Sequence, residues 1–324
     1  MRTLSYAQAI REAHAQLLAE DPRVFLIGQG VRNPWYAGSS LQDLDKEFGR
    51  DRVIDSPVAE NATTGAAVGA AIMGMRPIVF HPRMDFMLLA ADPIINQAAN
   101  WSYLFAGRIP VPLVIRAVIN RGGEQGAQHS QALQGLFAHI PGLKVVMPST
   151  AHDAKGLLVA AVNDENPVLY IDDRWLYEKQ DEVPESLYSV PLGKAAVRRQ
   201  GRHVTIVATS CMVHEALTAA ETLCARGIEA EVIDLRTIKP WDRDMVFSSV
   251  GKTGRLVIAD AAWVSGGVAA EVAATVAGEL FHALQAPILR VCLPDAPAPT
   301  SSALEQAYYV GAKHIVVAVE KALR

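Results

Sequence analysis

The chain has 324 residues, half of them hydrophobic and 20% charged, with a net charge of −4. That supplies enough apolar sequence for two domains of ordinary size. It leaves no basic run suited to nucleic acid or an anionic membrane, and no apolar run approaches the roughly 20 residues of a membrane helix. The start is helical at Ser5-Tyr6-Ala7, without the basic and apolar regions of a secretory signal. Cys211, Cys224 and Cys292 are widely spaced in apolar surroundings and form neither a metal-ligand pattern nor a disulfide framework. They read as core residues flanking helices in a reducing compartment. The expectation is a soluble, cytoplasmic protein.

Short apolar strands alternate with longer helical patterns, the signature of a mostly parallel sheet flanked by helices. The first half predicts strands at 24–27, 52–55, 77–80, 112–115, 144–146 and 168–171, with helices at 61–71, 93–106 and 151–162. A polar, irregular stretch with Pro184 and Pro191 then marks a linker. Beyond it, strands follow at 203–208, 230–234, 256–259 and 288–291, with helices at 213–226 and 268–284. The fold class is α/β in two domains, 1–178 and 203–324, joined by a linker at 179–202, and there is no internal repeat.

Chemistry concentrates at a few positions. Glu60 ends Pro57-Val58-Ala59-Glu60 and opens a helix of small residues, Asn61-Ala62-Thr63-Thr64-Gly65-Ala66-Ala67. A carboxylate there favours the helix dipole, but little around it solvates a charge, which points to a ligand. Desolvation by Pro57, Val58, Ala59 and Ala62 would favour a shared proton over a free charge. His129 follows the glycine-rich run Gly122-Gly123-Glu124-Gln125-Gly126-Ala127-Gln128, a loop able to carry a site. A histidine there can orient or protonate an acceptor near neutral pH, or can be an exposed side chain without a role. Gly65 and Gly69, with Ala62, Ala66 and Ala70, make a helix face that another backbone can approach closely, inside the domain or across a subunit contact.

Several blocks occur in a telling order: Pro57-Val58-Ala59-Glu60, Gln128-His129-Ser130-Gln131, Pro141-Gly142-Leu143-Lys144-Val145-Val146, Pro148-Ser149-Thr150, Glu231-Val232-Ile233-Asp234-Leu235-Arg236-Thr237, and Gly266-Gly267. Spread over almost the whole chain, they resemble the E1-component β subunits of thiamine-diphosphate-dependent 2-oxoacid dehydrogenases. The resemblance implies a pyrimidine-binding domain of transketolase type followed by a transketolase C-terminal domain. It implies that Glu60 hydrogen-bonds the aminopyrimidine ring of thiamine diphosphate, that Phe86 stacks on that ring, and that His129 faces the substrate or acceptor. Gln29 and Pro82 match further cofactor-site positions, but depart from the family. Gly28-Gln29-Gly30 stands where Gly-Glu-Asp is usual, and Pro82-Arg83-Met84-Asp85-Phe86 replaces Gln-Phe-Ala-Asp-Phe.

Leu113, Ala161, Val162, Asp164 and Asn166 match positions where some members bind a monovalent cation such as K+; capping and turn chemistry before Pro167 explains the same residues. The Gly-Asp-Gly motif that holds Mg2+ on the diphosphate is absent. By resemblance it belongs to a separate α subunit, in an α2β2 heterotetramer served by a lipoyl acyltransferase. The function implied is oxidative decarboxylation of a 2-oxoacid such as pyruvate, with acyl transfer to a lipoyl group. Two alternatives stay open: the β-type half of a split carboligase or transketolase-like enzyme, and a non-catalytic assembly subunit.

Overall fold

The computed structural model describes residues 2–324. The chain divides into two compact units. One comprises the residues up to Arg121 together with Phe137–Leu192, the other Gly122–Leu136 together with Gly193–Arg324.

The first unit contains α1 (Tyr6–Glu20), β1 (Val24–Gly28), β2 (Val53–Asp55), α2 (Glu60–Ile72), β3 (Arg76–His81), β4 (Val114–Ile119), β5 (Lys144–Val146), α3 (Ala151–Asn163) and β6 (Val168–Asp173). Its parallel strands lie in the order β5-β6-β4-β3-β1-β2. A reciprocal cap sets the start of α1: Ser5 Oγ accepts the Gln8 N–H at 3.2 Å, and Gln8 Oε1 accepts the Ser5 N–H at 2.8 Å. Thr150 Oγ1 caps α3 by accepting the Asp153 N–H at 3.1 Å. The central strands are buried on both faces, including Leu26, Ile78, Val79, Ile115 and Leu169, as helices on either side of a parallel sheet require.

Arg116 and Asp172 form a fully buried ion pair inside this core. Arg116 on β4 donates to both oxygens of Asp172 on β6, at 3.1 and 2.8 Å, and to Ser40 Oγ at 2.7 Å. Tyr177 donates its hydroxyl to Asp172 at 2.7 Å. Burial works against the guanidinium charge, yet Asp172 outweighs it and holds the Arg116 pKa above its ordinary value.

The second unit contains β7 (Ala196–Arg199), β8 (Val204–Ala208), α4 (Met212–Cys224), β9 (Ala230–Asp234), α5 (Arg243–Thr253), β10 (Leu256–Trp263), α6 (Val268–Glu279), β11 (Leu289–Leu293), α7 (Ser302–Tyr308) and α8 (Ala312–Ala322). The strand order is β11-β10-β8-β9-β7, parallel except for β7, which runs antiparallel to β9. Asp242 caps α5 through the Met245 N–H at 3.1 Å, and Gly254, with φ of 67°, ends it in the left-handed region.

Three expectations change. The stretch read as an irregular linker holds two strands. Gln180–Val183 pairs antiparallel with Arg2–Ser5, and Ala196–Arg199 edges the second sheet. Both are short, mostly half-exposed strands with too few buried positions to show an apolar alternation. The helix expected over 268–284 stops at Glu279 and gives way to a short turn at Phe281–Ala283. Cys224 is exposed at the end of α4, whereas Cys211 just before that helix is buried. No helix among the described residues is long and apolar enough to cross a membrane.

Candidate active site

Pairing in the first sheet brings the carboxyl ends of three strands level, since Gly28 of β1 registers with Asp55 of β2 and with Phe80 of β3. Crevices at such strand ends are where open α/β sheets bind ligands. Here the crevice is a narrow cleft lined by Gly28, Gln29, Ser56, Pro57, Ala59, Glu60, Thr63, Phe80, His81 and Pro82. Gly28 has no alternative: a Cβ would stand 2.3 Å from the Phe80 carbonyl oxygen. Phe80 in turn lies under the Arg116 guanidinium, 5.1 Å from its ring centroid.

Glu60 is the first residue of α2 and is half-buried. Among the described residues no group hydrogen-bonds its carboxylate, which leaves it for whatever enters the cleft. One turn later Thr64 is buried, and its hydroxyl meets His81 Nε2 at 3.1 Å. Burial pushes the His81 pKa down to about 4, so the imidazole is neutral at physiological pH. The cleft therefore pairs one acid with one neutral ring nitrogen donor or acceptor.

Residues 2–179 match the transketolase pyrimidine-binding domain family, and residues 193–315 the transketolase C-terminal domain family. The β subunit of acetoin:2,6-dichlorophenolindophenol oxidoreductase from Cupriavidus necator is 44% identical, aligned over 100% of this chain and 98% of the relative. The mitochondrial pyruvate dehydrogenase E1 β subunit of Caenorhabditis elegans is 42% identical over 99% of this chain and 93% of the relative, and the pyruvate dehydrogenase E1 β subunit of Rickettsia felis is 40% identical over 98% of both chains. The chain belongs to the E1-component β-subunit family. A solved split-gene transketolase, described as an inactive β4 tetramer, superposes with a TM-score of 0.80 at 26% identity, covering 99% of this chain and 98% of that one.

In this E1 β-type chain, Glu60, Gln29 and Pro82 share the cleft. Phe86 lies outside its lining, on the turn Met84–Met87, with 38% of its surface exposed. His129 is half-buried in the segment Gly122–Leu136, which belongs to the second unit. Leu113, Ala161, Val162, Asp164 and Asn166 gather around the C-terminus of α3. There Arg76 Nη1 donates to the carbonyls of Val162 at 2.7 Å and Asp164 at 3.3 Å. Leu113 O accepts from Val168 N–H at 2.9 Å, Lys144 pairs with the Asp164 carboxylate, and Asn166 N–H donates to Asp164 Oδ1 at 2.9 Å. These carbonyls each keep a second lone pair, although two cationic side chains already serve the cluster.

From the sequence alone His81 had no place in the site; its position at the end of β3 follows only from strand register. A pH test isolates it. The unfolded chain takes up a proton on this histidine near pH 6.5, whereas the folded chain resists until about pH 4. Stability is then complete above pH 6.5 and is lost as the pH falls from 6.5 toward 4. His81→Gln should flatten that decline in thermal midpoint, by up to about 3 kcal/mol at the acid end. An identical slope in the variant would remove His81 as the cause.

Proposed function

We propose that this chain is the β half of a thiamine-diphosphate-dependent 2-oxoacid dehydrogenase. With an α subunit it would form an α2β2 heterotetramer that decarboxylates a 2-oxoacid such as pyruvate and passes the acyl group to the lipoyl group of an acyltransferase. The observation that carries the proposal is the half-buried Glu60 carboxylate, without a hydrogen-bond partner among the described residues, in the cleft at the strand ends of a chain that aligns end to end with E1 β subunits. When bound, thiamine diphosphate supplies the C2 nucleophile and the electron sink for decarboxylation. Glu60 would hold the proton shared with ring atom N1′, Gln29 and Pro82 would border the ring, and Phe86 would stack on it. His129 would orient or protonate the acceptor group. The diphosphate and its Mg2+ fall to the α subunit, because this chain has no Gly-Asp-Gly motif.

A second reading, transfer to a carbonyl acceptor as in a split carboligase, draws support from the likeness to the split-gene transketolase and from the atypical Gln29 and Pro82. It uses Glu60 in the same way. Glu60→Gln should therefore assemble and load cofactor normally, yet slow hydrogen–deuterium exchange at cofactor C2 by around a hundredfold, the usual worth of a positioned proton-transfer group. Wild-type exchange in a loaded variant would overturn the assignment. Product analysis separates the two acceptors.

The outer face of α2 supports assembly. Asn61, Ala62, Gly65, Ala66 and Gly69 are exposed while Thr63, Thr64, Ala67, Val68 and Ala71 are buried. A Cβ at Gly65 or Gly69 would meet nothing within 4 Å, so this chain's own packing does not require glycine there. Each costs its helix about 1 kcal/mol relative to alanine, which a close subunit contact would justify. Gly65→Leu should leave the isolated chain folded with an equal or higher thermal midpoint, and should block co-purification with the α subunit. Normal assembly of that variant would argue against the contact.

A monovalent cation held by Leu113, Ala161, Val162, Asp164 and Asn166 completes the proposal. Replacing KCl by choline chloride at equal ionic strength should lower the thermal midpoint of the first unit. An unchanged midpoint would assign the cluster to Arg76 and Lys144 alone.

A further inference from the structure

The segment Gly122–Leu136 is fastened to the second unit at both ends, with His129 between the fastenings. At the leading end, Glu124 and α7 exchange hydrogen bonds. The Glu124 N–H donates to Glu305 Oε1 at 3.0 Å, and Glu124 Oε1 accepts the Ser302 N–H at 3.1 Å. The Gly122 N–H adds a bond to the Tyr309 hydroxyl at 3.2 Å. At the trailing end, Gln134 donates to Asp260 Oδ1 at 2.8 Å, which also accepts from Thr209 Oγ1 at 2.9 Å. Gly135 lies so close to Gly267 that a Cβ would stand 3.2 Å from its Cα.

The backbone of the leading end does not hold its shape unaided. Gly122, Gly123, Glu124 and Gly126 all have positive φ, at 75°, 66°, 60° and 72°. Three are glycines, for which this is ordinary, but Glu124 carries a side chain in a region L-residues disfavour. Such a residue persists only where its surroundings over-determine it, and here the two-way clasp with Ser302 and Glu305 does so. Glu305 is itself buried, on a helix whose Tyr308 packs with Leu293 and Ala298 and donates to the Ala296 carbonyl at 2.7 Å. The clasp thus transfers the order of the second unit's core to a glycine-rich loop. The His129 N–H donates back to the Gly126 carbonyl at 3.4 Å, so the turn that carries the imidazole starts from the clasped segment.

We propose that Glu305 is a positioning residue for His129, acting through the Glu124 backbone. This deepens the proposed function and rests on the reading that His129 serves the acceptor step. The ligand-bearing group is His129; Glu305 touches neither substrate nor cofactor and fixes where the histidine stands. A loop released at Glu124 would sample many φ/ψ states, and small displacements of a reacting group are costly in rate.

The test uses the assembled α2β2 enzyme loaded with thiamine diphosphate and Mg2+. Glu305→Ala removes the acceptor, Glu305→Gln keeps an oxygen in its place, and Glu124→Gly relieves the backbone strain while deleting the bond to Ser302. Peptides covering 122–133 in Glu305→Ala should exchange amide hydrogen about tenfold faster, the mark of a locally opened segment. Transfer to a lipoyl acceptor should fall about tenfold or more in kcat/KM, while decarboxylation read with an artificial electron acceptor stays within about threefold. Glu305→Gln should restore both. Glu124→Gly should exchange faster than wild type, because relief of strain does not replace the clasp. Faster exchange with unchanged transfer would overturn the proposal, as would unchanged exchange, or a Glu305→Gln no better than Glu305→Ala. His129→Ala run alongside separates the two levels. If it leaves transfer intact, the reading of His129 fails. If it abolishes transfer and Glu305→Ala does not, only the positioning role fails.

Discussion

The buried pair of Arg116 and Asp172 is the constraint around which the first unit is arranged. Removing two charges from water is costly, and the pair persists because Ser40 and Tyr177 add further bonds to it. Deleting one partner would strand a charge in the core at a cost on the order of 3–5 kcal/mol. The same guanidinium lies against the Phe80 ring, so it fixes a wall of the cleft from behind. Gly28 then packs on the Phe80 backbone with no room for a side chain. Core electrostatics and cleft shape are one problem here, solved on the four adjacent strands β6, β4, β3 and β1.

The cleft itself is electrostatically spare. Its lining holds a single carboxylate, Glu60, and a histidine kept neutral by burial. The guanidinium behind the Phe80 wall, Arg116, is paired with Asp172. Among the described residues Glu60 is neither in an ion pair nor hydrogen-bonded to a backbone donor.

Much of the fold was legible because parallel strands in a two-layered wrap are apolar runs bounded by polar helices. Lys144–Val146 begins and ends where expected, and Val168–Asp173 and Val204–Ala208 differ from expectation only at their ends. Glu60 was legible as a carboxylate among alanines. The polar strands Gln180–Val183 and Ala196–Arg199 were not, since edge pairing leaves no apolar period. Nor were His81 and Phe80 as cleft walls: strand register, set by neighbours far away in sequence, decides which residues reach the carboxyl end. The Glu124–Glu305 clasp is hidden for the same reason, because it joins residues 181 positions apart.

Helix α2 carries two tasks on two faces. Its inner face sets Thr64 against His81 and turns Thr63 toward the cleft, while its outer face offers Ala62, Gly65, Ala66 and Gly69 to the surroundings. Glu60 stands at its first turn. A partner seated on the outer face would press on a rigid rod whose other side is part of the cleft wall, and interiors packed this densely transmit displacement rather than absorb it. A displacement of the outer face and the placement of Glu60 would therefore be mechanically joined through one short helix.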